Sequence, residues 1–339
     1  MKVEEAILAA CQRGELPVSC RLVVGFSGGP DSSALVHGLA KIGRWSLLAA
    51  HVDHGLHREA AAHATAAQGL AGRWGVPFEL VRLRGLKSGE QAAREARHEA
   101  LAGIARRLAA HAIALAHHAD DQLETLILRL VRGSGSSGLA GMQTLEMGPA
   151  GVLIARPLLG IPRLEIDTYC HAHGIEPLFD PTNADPEHAS RNRIRHRVVP
   201  VLRELNPRAA RAAERTARIL ADEDAALEAM AEQALIGLRD PEGRLDARDL
   251  VAQPRALARR ILRRLVPTAD FEQTEALLGF ARKTAPGHTH LRDGRLLVRS
   301  SGKLWVGSPD DGAHGVPGAG ECRYCLTRAR PDPSMDTEI

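Results

Sequence analysis

The chain has 339 residues, of which 44% are hydrophobic and 25% are charged, and its formal net charge is +3. This length and ordinary globular composition predict two domains of about 100–200 residues each. The sequence contains no run of about 18 uncharged apolar residues, which argues against a membrane-spanning helix. Two acids, Glu4 and Glu5, stand where a signal peptide carries cations, so we expect a cytoplasmic protein.

Cysteine usage gives little support for a disulfide framework or a metal site. The cysteines are odd in number and scattered along the chain: Cys11, Cys20, Cys170, Cys322 and Cys325. Cys322 and Cys325 have the spacing of a metal or redox pair, but a second pair that would complete four zinc ligands is lacking. We interpret this spacing as chance.

Predicted strands alternate with predicted helices through the first half of the chain. Short apolar runs predict strands at 21–26, 45–50, 77–81, 112–116 and 152–155. Helical spacing of apolar residues predicts helices at 31–42, 59–74, 89–110, 120–132 and 163–173. Alternation of this kind predicts an α/β fold with a doubly wound parallel sheet of the Rossmann type.

The segments that carry chemistry follow these predicted strands. A glycine-rich turn follows the first strand, the sequence His51-Val-Asp-His54 follows the second, and His117-His-Ala-Asp-Asp121 follows the fourth. In doubly wound sheets, ligands bind at the carboxyl ends of the strands. We therefore expect these segments to share one ligand site.

The second half of the chain differs in composition. Residues 191–219 contain nine arginines against two acids, and 207–237 are alanine-rich with a helical pattern. Clustered arginines suit RNA phosphates, whereas the alternatives are a solvated helix face or the codon bias of a GC-rich genome. We predict a first domain at 1–210, a smaller, mainly helical domain at 211–308 and a disordered tail at 309–339.

The turn after the first strand reads Ser27-Gly28-Gly29-Pro30-Asp31-Ser32. Between a strand and a helix, such a turn directs backbone N–H groups and the positive helix end at an anion, and glycine lets a phosphate approach closely. The turn lacks the lysine of the Walker pattern and the spacing of the dinucleotide-binding pattern. The alternative is an ordinary turn in which Asp31 or Ser32 only caps the helix.

This six-residue turn resembles the pyrophosphatase loop (PP-loop) of the N-type ATP pyrophosphatases, which cleave ATP between its α- and β-phosphates. Further segments, in the family's order and covering roughly residues 20–210, narrow the resemblance to the tRNA(Ile)-lysidine synthases. They are His51-Val-Asp-His-Gly-Leu56, His117-His-Ala-Asp-Asp-Gln-Leu-Glu-Thr125, Leu130-Val-Arg-Gly-Ser-Gly135, Arg156-Pro-Leu-Leu159, Asp180-Pro-Thr-Asn183 and Arg191-Asn-Arg-Ile-Arg195.

The resemblance implies an ATP-dependent ligase that modifies the wobble cytidine in the CAU anticodon of a minor tRNA(Ile). ATP adenylates the C2 oxygen of the base, the ε-amine of free L-lysine attacks C2, and AMP leaves. The implied reactants are ATP, Mg²⁺, L-lysine and this tRNA, with catalysis in 1–210 and further tRNA contacts in 211–308. A homodimer is compatible with the sequence.

The resemblance assigns the nucleotide to the first two strand ends. The loop residues Ser27 to Ser32 are expected to hold the β- and γ-phosphates. Asp31 is expected to be a catalytic ligand of Mg²⁺, because this hard cation prefers oxygen ligands beside phosphates. Adenosine is expected to lie beside His51, Asp53 and His54.

The resemblance assigns lysine to Asp121 and Glu124, which stand three residues apart on one helix face. One of them can act as a base if its pKa is raised, whereas the alternative is a pair of solvated acids at a helix start. Arg191 is expected to stabilise negative charge that develops during catalysis. The residues expected to bind tRNA or the adenylated intermediate are His117, His118, Arg132, Asn192, Arg193 and Arg195.

Two positions depart from the family pattern, and three rival functions are open. His57 stands where arginine is more frequent, and His98 stands where tyrosine is frequent; the chain is also shorter than members with an extra C-terminal domain. A tRNA thiolase of the same superfamily would carry cysteines near the nucleotide site. A metal-dependent hydrolase would leave the glycine-rich turn without a role. A non-enzymatic RNA-binding protein would not need Asp31 and the Asp121–Glu124 pair.

Overall fold

A computed structural model of the protein describes residues 3–13, 16–53, 60–83, 90–178 and 190–308. The chain divides into two compact units, Met1–Glu223 and Asp224–Ile339. This division falls inside one long helix, and the predicted domain boundaries at 210 and 308 stay predictions. Within the described part of the chain, no helix is long and apolar enough to cross a membrane.

The first unit is built on a six-stranded sheet. Its strands are β1 Arg21–Gly25, β2 Ser46–Asp53, β3 Phe78–Arg82, β4 Ala112–Ala114, β5 Leu145–Met147 and β6 Leu153–Ala155. The spatial order is β3-β2-β1-β4-β6-β5, and every neighbouring pair is parallel except β5 with β6. The predicted parallel α/β sheet is confirmed. Strand β5 was not predicted, because three partly exposed residues give no readable period.

Helices cover both faces of this sheet. They are α1 Val3–Arg13, α2 Pro30–Ile42, α3 Ala60–Arg73, α4 Glu90–Arg107, α5 Ala119–Val131, α6 Ser136–Leu139, α7 Arg163–Ala172, α8 Ser190–Arg193 and α9 Val199–Leu205, with a π-helical turn at Ile194–Val198. On β1, Leu22 and Val24 pack into one core with Leu35, whereas Val23 packs into another with Leu101. Alternate residues of a strand face opposite sides, so the sheet is buried on both sides.

The second unit combines helices with a small antiparallel sheet. Helix α10 spans Ala209–Leu238 and crosses the division between the units; it is followed by β7 Leu245–Asp246, α11 Ala247–Ala252, α12 Arg255–Leu265, α13 Phe271–Ala281, β8 Gly287–His290, β9 Leu296–Ser300 and β10 Lys303–Gly307. The strand order is β7-β10-β9-β8. Its core includes Leu250, Ile261, Leu262 and Leu297, each fully buried.

Candidate active site

The turn between β1 and α2 holds a glycine in a conformation that other residues adopt only with strain. Gly28 has a φ of +82°, in the left-handed region. A Cβ atom added at Gly28 would lie 2.6 Å from Cδ1 of Leu178, so the position also lacks space for a side chain. The hydroxyls of Ser27 and Ser32 are hydrogen-bonded at 3.1 Å and close the turn. The turn is therefore a preformed loop in which Gly28 packs against Leu178, whereas a Cβ atom at Gly29 would meet only Oγ of Ser27, at 3.4 Å.

Helix α2 begins at this turn without a side-chain cap. Its N-cap residue is Gly29, with no capping side-chain hydrogen bond, and Pro30 occupies the first helical position. The alternative in which Asp31 or Ser32 caps the helix is therefore wrong. Asp31 lies in the first turn of α2, but no side chain caps the helix. The backbone N–H groups at this positive helix end are therefore available to an anion.

Asp31 lies in the first turn of α2 and has one oxygen without a hydrogen bond. Its Oδ2 accepts a hydrogen bond of 3.1 Å from Nη1 of Arg163. Its Oδ1 is buried, accepts no hydrogen bond from the described residues and lies 3.6 Å from Nε2 of His118. Burial raises the pKa of Asp31, although His118 and Arg163 act in the opposite direction. A buried carboxylate oxygen without a donor is costly and fits a hard cation such as Mg²⁺.

The second strand brings one histidine against the turn. The predicted strand ended at residue 50, with His51 and Asp53 directly after it. Strand β2 extends to Asp53, so both residues lie on the strand. Nδ1 of His51 is 2.9 Å from the carbonyl oxygen of Phe26, to which it donates. Burial lowers the pKa of His51. Asp53 lies 4.0 Å from Arg82. The predicted contact residue His54 and the departure at His57 lie outside the described residues.

The two histidines after β4 have different surroundings. Nδ1 of His117 accepts a hydrogen bond of 3.2 Å from Nε of Arg156. Burial, together with the positive charge of Arg156, lowers the pKa of His117 well below its usual value, so this imidazole is neutral at pH 7. His118 is 4% exposed, and its Nε2 is 3.4 Å from Oδ2 of Asp121. His118 therefore stands between Asp31 and Asp121.

Asp121 and Glu124, in the first turns of α5, are held by two arginines. Nε of Arg191 donates to Oε2 of Glu124 at 2.7 Å, and its Nη2 donates to Oδ1 of Asp121 at 3.0 Å. Nε of Arg195 donates to Oε1 of Glu124 at 2.6 Å, and its Nη2 donates to Oδ1 of Asp121 at 3.2 Å. The alternative in which Asp121 and Glu124 are solvated acids is wrong, because Glu124 is 1% exposed and Asp121 is 8% exposed.

The charge state of Asp121 follows from these contacts. Burial by itself would raise its pKa, but His118, Arg191 and a hydrogen bond from the backbone N–H of His118 lower it to about 2. Asp121 is therefore an anion at neutral pH and a weak base. Arg195 lies in the π-helical turn, a rare helix type that is frequent at functional sites.

The other predicted binding residues lie apart from this ion-pair cluster or at its margin. Arg132 is exposed at the C-terminal end of α5, whereas Asp121 lies in the first turn of that helix. Arg193 is exposed and Asn192 is half-buried in α8. Several arginines of 191–219 form internal ion pairs with carboxylates: Arg191, Arg195, Arg203 and Arg211. The basic stretch is thus partly structural.

Sequence reasoning missed three residues that organise this edge of the sheet. Oδ2 of Asp120 accepts a hydrogen bond of 2.7 Å from the backbone N–H of Arg163, and its Oδ1 accepts one of 2.5 Å from Nη2 of Arg203. These partners are 43 and 83 residues away in the chain, so no local spacing indicates them. The single available signal was the position of Asp120 directly beside Asp121.

A family model and several curated proteins match most of this chain. A family model described as a PP-loop domain matches residues 2–202. A curated relative from Methylobacterium nodulans, named tRNA(Ile)-lysidine synthase, is 42% identical over 257 residues, which are 73% of this chain and 74% of that protein. One of the same name from Salinispora tropica is 38% identical over 87% of this chain and 93% of its own length.

Two further matches cover only part of the longer protein or have low sequence identity. The chain spans 57% of a longer relative of that name from Xanthomonas axonopodis pv. citri, at 39% identity. Among solved structures, the U34-tRNA thiolase from Methanococcus maripaludis with its [4Fe-4S] cluster superposes with a TM-score of 0.55 at 18% identity, over 64% of this chain and 78% of that one. Such low identity shows a shared fold alone.

Proposed function

This chain belongs to the tRNA(Ile)-lysidine synthases of the PP-loop family, and we propose that its two clusters of charged residues bind ATP and L-lysine on either side of one wobble cytidine. The C2 oxygen of the base attacks the α-phosphorus of ATP, and the bond from that phosphorus to the bridging oxygen breaks, so pyrophosphate leaves with the electron pair. The ε-amine of lysine then attacks C2, the C2–O bond breaks, AMP leaves with that oxygen, and the attacking nitrogen gives up a proton to solvent.

One observation carries this proposal. Nε2 of His118 lies 3.6 Å from Oδ1 of Asp31 and 3.4 Å from Oδ2 of Asp121. The carboxylate at the phosphate loop and the carboxylate proposed to bind lysine therefore approach the same imidazole nitrogen. Two substrates bound at these carboxylates would meet in one site, as a reaction between an adenylated base and an amine requires.

The phosphate loop supports ATP binding through its backbone. Gly29 leaves room for the β- and γ-phosphates, the hydroxyls of Ser27 and Ser32 can donate to phosphate oxygens, and Pro30 starts the helix whose positive end faces them. The free Oδ1 of Asp31 fits Mg²⁺, which when bound would neutralise phosphate charge. Residues beside β2, among them His51, Asp53 and His54, are proposed to contact adenosine.

The lysine site requires a rearrangement of the arginines. Both oxygens of Glu124 and one oxygen of Asp121 accept hydrogen bonds from Arg191 and Arg195. We propose that the ammonium group of lysine replaces one guanidinium, since both are cations that donate several hydrogen bonds. Because the pKa of Asp121 is lowered to about 2, Asp121 serves as the anion that binds the ammonium and not as the base that deprotonates it.

The arginine that lysine displaces from these carboxylates would be available to stabilise negative charge. Arg191 is proposed to stabilise charge on the adenylated intermediate, with His117, His118, Asn192 and Arg195 around the base. Exposed arginines of the basic stretch and Arg132 are proposed to contact the tRNA backbone, which makes affinity salt-dependent: Arg193, Arg208 and Arg215. Contacts of 211–308 with tRNA are part of the same proposal.

Single-turnover incorporation of radiolabelled L-lysine tests this function. A tRNA(Ile) transcript with a CAU anticodon should be labelled only with ATP and Mg²⁺, and an elongator methionine tRNA with the same anticodon should stay unlabelled. The Asp31→Asn variant should need a higher Mg²⁺ concentration for half-maximal labelling. Pyrophosphate release without lysine labelling would contradict lysine as the nucleophile and would favour another acceptor chemistry.

Self-association is a separate expectation. A homodimer should give twice the monomer mass of 36.4 kDa in light scattering behind size exclusion. A constant monomer mass across protein concentrations would contradict it without affecting the proposed reaction.

A further inference from the structure

Arg156 is a buried arginine that directly follows β6 and contacts a histidine of the proposed site. Its side chain is 3% exposed. Nε of Arg156 donates to Nδ1 of His117 at 3.2 Å, Nη1 donates to the carbonyl oxygen of Gln143 at 3.0 Å, and Nη2 donates to Oε1 of Glu146 at 2.8 Å. The three nitrogens of the guanidinium therefore bind three different groups. Because a rotation of the guanidinium would break all of these bonds, the N–H group that faces His117 has a defined direction.

The contact with Arg156 determines which nitrogen of His117 carries the proton. A guanidinium only donates hydrogen bonds, so Nδ1 of His117 accepts with its lone pair. The single proton of the neutral imidazole is then on Nε2. Nε2 makes no hydrogen bond with the part of the chain that the structure describes, and the residue is half-buried. His117 thus presents an N–H donor that a ligand can use.

The same contact opposes a second proton on the ring. Nδ1 is the nitrogen that would have to accept it, and a proton there would replace the hydrogen bond and place two cations 3.2 Å apart. Burial, and then the positive charges of Arg156, Arg94 and Arg191, lower the pKa of His117 well below its usual value, although Asp121 acts in the opposite direction. The imidazole is therefore neutral at pH 7, with its donor on Nε2.

A neutral ring suits the cationic substrate that is proposed to bind at Asp121. Asp121 and Arg191, which form an ion pair, are among the charged groups that act on His117. An imidazolium at this position would attract Asp121 and repel the ammonium group of lysine. A neutral imidazole leaves Asp121 to the substrate and still stabilises negative charge through its N–H group.

We propose that Arg156 is a positioning residue that holds His117 as a neutral imidazole whose Nε2–H donates to the C2 oxygen of the adenylated cytidine. The proposal rests on the proposed function, because that function supplies the oxygen on which negative charge develops when AMP leaves. The hydrogen bond strengthens as this charge develops, and the proton stays on Nε2, so the step transfers no proton to or from the ring. Glu146, in strand β5, supports the arrangement through its bond to Nη2 of Arg156.

NMR spectroscopy of the full chain tests the tautomer without any substrate. In protein that carries isotope-labelled histidine, long-range proton–nitrogen correlations distinguish the two neutral tautomers from the imidazolium, and His117→Gln identifies the signal. We expect the proton on Nε2 and a neutral ring down to about pH 5.5, whereas in Arg156→Met the ring should titrate at a higher pH, toward about 6.5. A proton on Nδ1, or the same titration in both chains, would overturn the proposal. This result is independent of whether lysine incorporation is observed.

The KM for lysine gives a second readout, which a purely structural role of Arg156 would not move. Relative to the unsubstituted chain, the KM in Arg156→Met should rise about two- to fourfold from pH 8 to pH 6, because a ring with a pKa of about 6 to 6.5 becomes half to three-quarters protonated. Arg156→Lys keeps a cation that donates to Nδ1 and should restore a constant KM.

Arg129→Met is the matched control for this readout. Arg129 is a half-buried arginine of the same unit that donates to the carbonyl oxygens of Gly138 and Gly141 and not to His117. Its KM for lysine should keep the pH dependence of the unsubstituted chain. The same pH dependence in Arg156→Met would contradict the proposal.

Variants of His117 test the donor itself, and they carry the test if urea unfolding shows that Arg156→Met loses the fold. The amide of glutamine can place an N–H group near the position of Nε2, whereas the shorter asparagine reaches only that of Nδ1. Single-turnover lysine incorporation should therefore fall about 10-fold in His117→Gln and about 100-fold or more in His117→Asn. Arg156→Met combined with His117→Asn should be no slower than His117→Asn alone, since Arg156 acts through this ring. Equal losses in the two His117 variants, or additive losses in the double variant, would overturn the proposal.

Discussion

Pairs of arginines that share one glutamate occur in both compact units: one pair holds Glu124 in the first unit, and among the pairs of the second unit one holds Glu228 and another holds Glu275. Arg191 and Arg195 donate to Glu124 in the first unit. Arg260 and Arg264 donate to Glu228 in the second unit, at 2.6 and 3.1 Å. In both cases the arginines are four residues apart and the glutamate accepts from both. The chemistry of the bonds is the same.

The two clusters differ in which partner is buried. The side chain of Glu124 is 1% exposed, and its arginines are 22% and 34% exposed. In the second unit the order is reversed, because the side chain of Arg260 is 4% exposed and that of Glu228 is 39% exposed. The first arrangement, a buried acid under partly exposed arginines, is the one for which we propose exchange of an arginine for a cationic substrate. In the second arrangement the buried Arg260 connects its helix to the helix that carries Asp224 and Glu228.

The largest expected effect is a difference in lysine incorporation between variants of Glu124 and of Glu228. Glu124→Gln should lower single-turnover lysine incorporation by about 100-fold or more, because the neutral amide no longer attracts an ammonium group. Glu228→Gln is the matched control and should change the rate by less than about twofold, as expected for a partly exposed position. Equal rates in the two variants would remove the functional distinction between the clusters.

The second effect concerns stability in the other unit. Arg260→Leu should lower the free energy of unfolding by about 1–3 kcal/mol, because Asp224 and Glu228 lose a buried partner, while their partial exposure limits the cost. Urea unfolding measures the change. The rate of lysine incorporation at saturating tRNA should stay the same; a loss of activity without a loss of stability would mean that this cluster also serves the reaction.

The third effect tests how the arginines hold the acids. Arg195→Lys keeps the charge but cannot donate from two nitrogens to Glu124, so lysine incorporation should fall about 10-fold. The corresponding change in the second unit, Arg264→Lys, should leave the rate unaltered. Full activity of Arg195→Lys would show that charge alone is sufficient in the first cluster.

The smallest effect is a pH dependence of stability caused by the burial of His98 and by the arginines around it. Burial, followed by the charges of Arg94, Arg97 and Arg156, lowers the pKa of His98 to about 4. The unfolded chain binds this proton at about pH 6.5 and the folded chain only near pH 4, so stability falls as the pH decreases between these values. His98→Tyr should flatten this slope in urea unfolding at pH 7, 6, 5 and 4.

A second variant separates titration from packing at this position. His98→Gln also lacks the titrating group but is not aromatic, so it should show the same flattened slope as His98→Tyr even if its stability at pH 7 differs. Slopes identical to that of the unsubstituted chain in both variants would mean that His98 is not the group responsible.

Local sequence patterns predicted the strands of the parallel sheet, because strands that are buried on both faces appear as short apolar runs. Each predicted strand of the parallel sheet overlaps an observed one, and the turn at Gly28 lies between β1 and α2 as expected. The patterns were less informative at edges: strand β2 continues through His51 and Asp53, where polar residues suggested that it had ended. The apolar pattern that predicts a strand stops where polar side chains occupy its end, although the strand itself continues.

The sequence alone determined the glycine-rich loop, the order of strands and helices along the chain, the placement of Asp121 and Glu124 on one helix face, and the family. Each of these can be predicted from short stretches of sequence and from their order along the chain. The tertiary structure alone decided that Arg191 and Arg195 cover those acids, 67 to 74 residues away, and that Asp120 joins Arg163 to Arg203. Long-range ion pairs depend on how the helices pack against one another. The periodicity of a sequence does not indicate which two helices will be in contact.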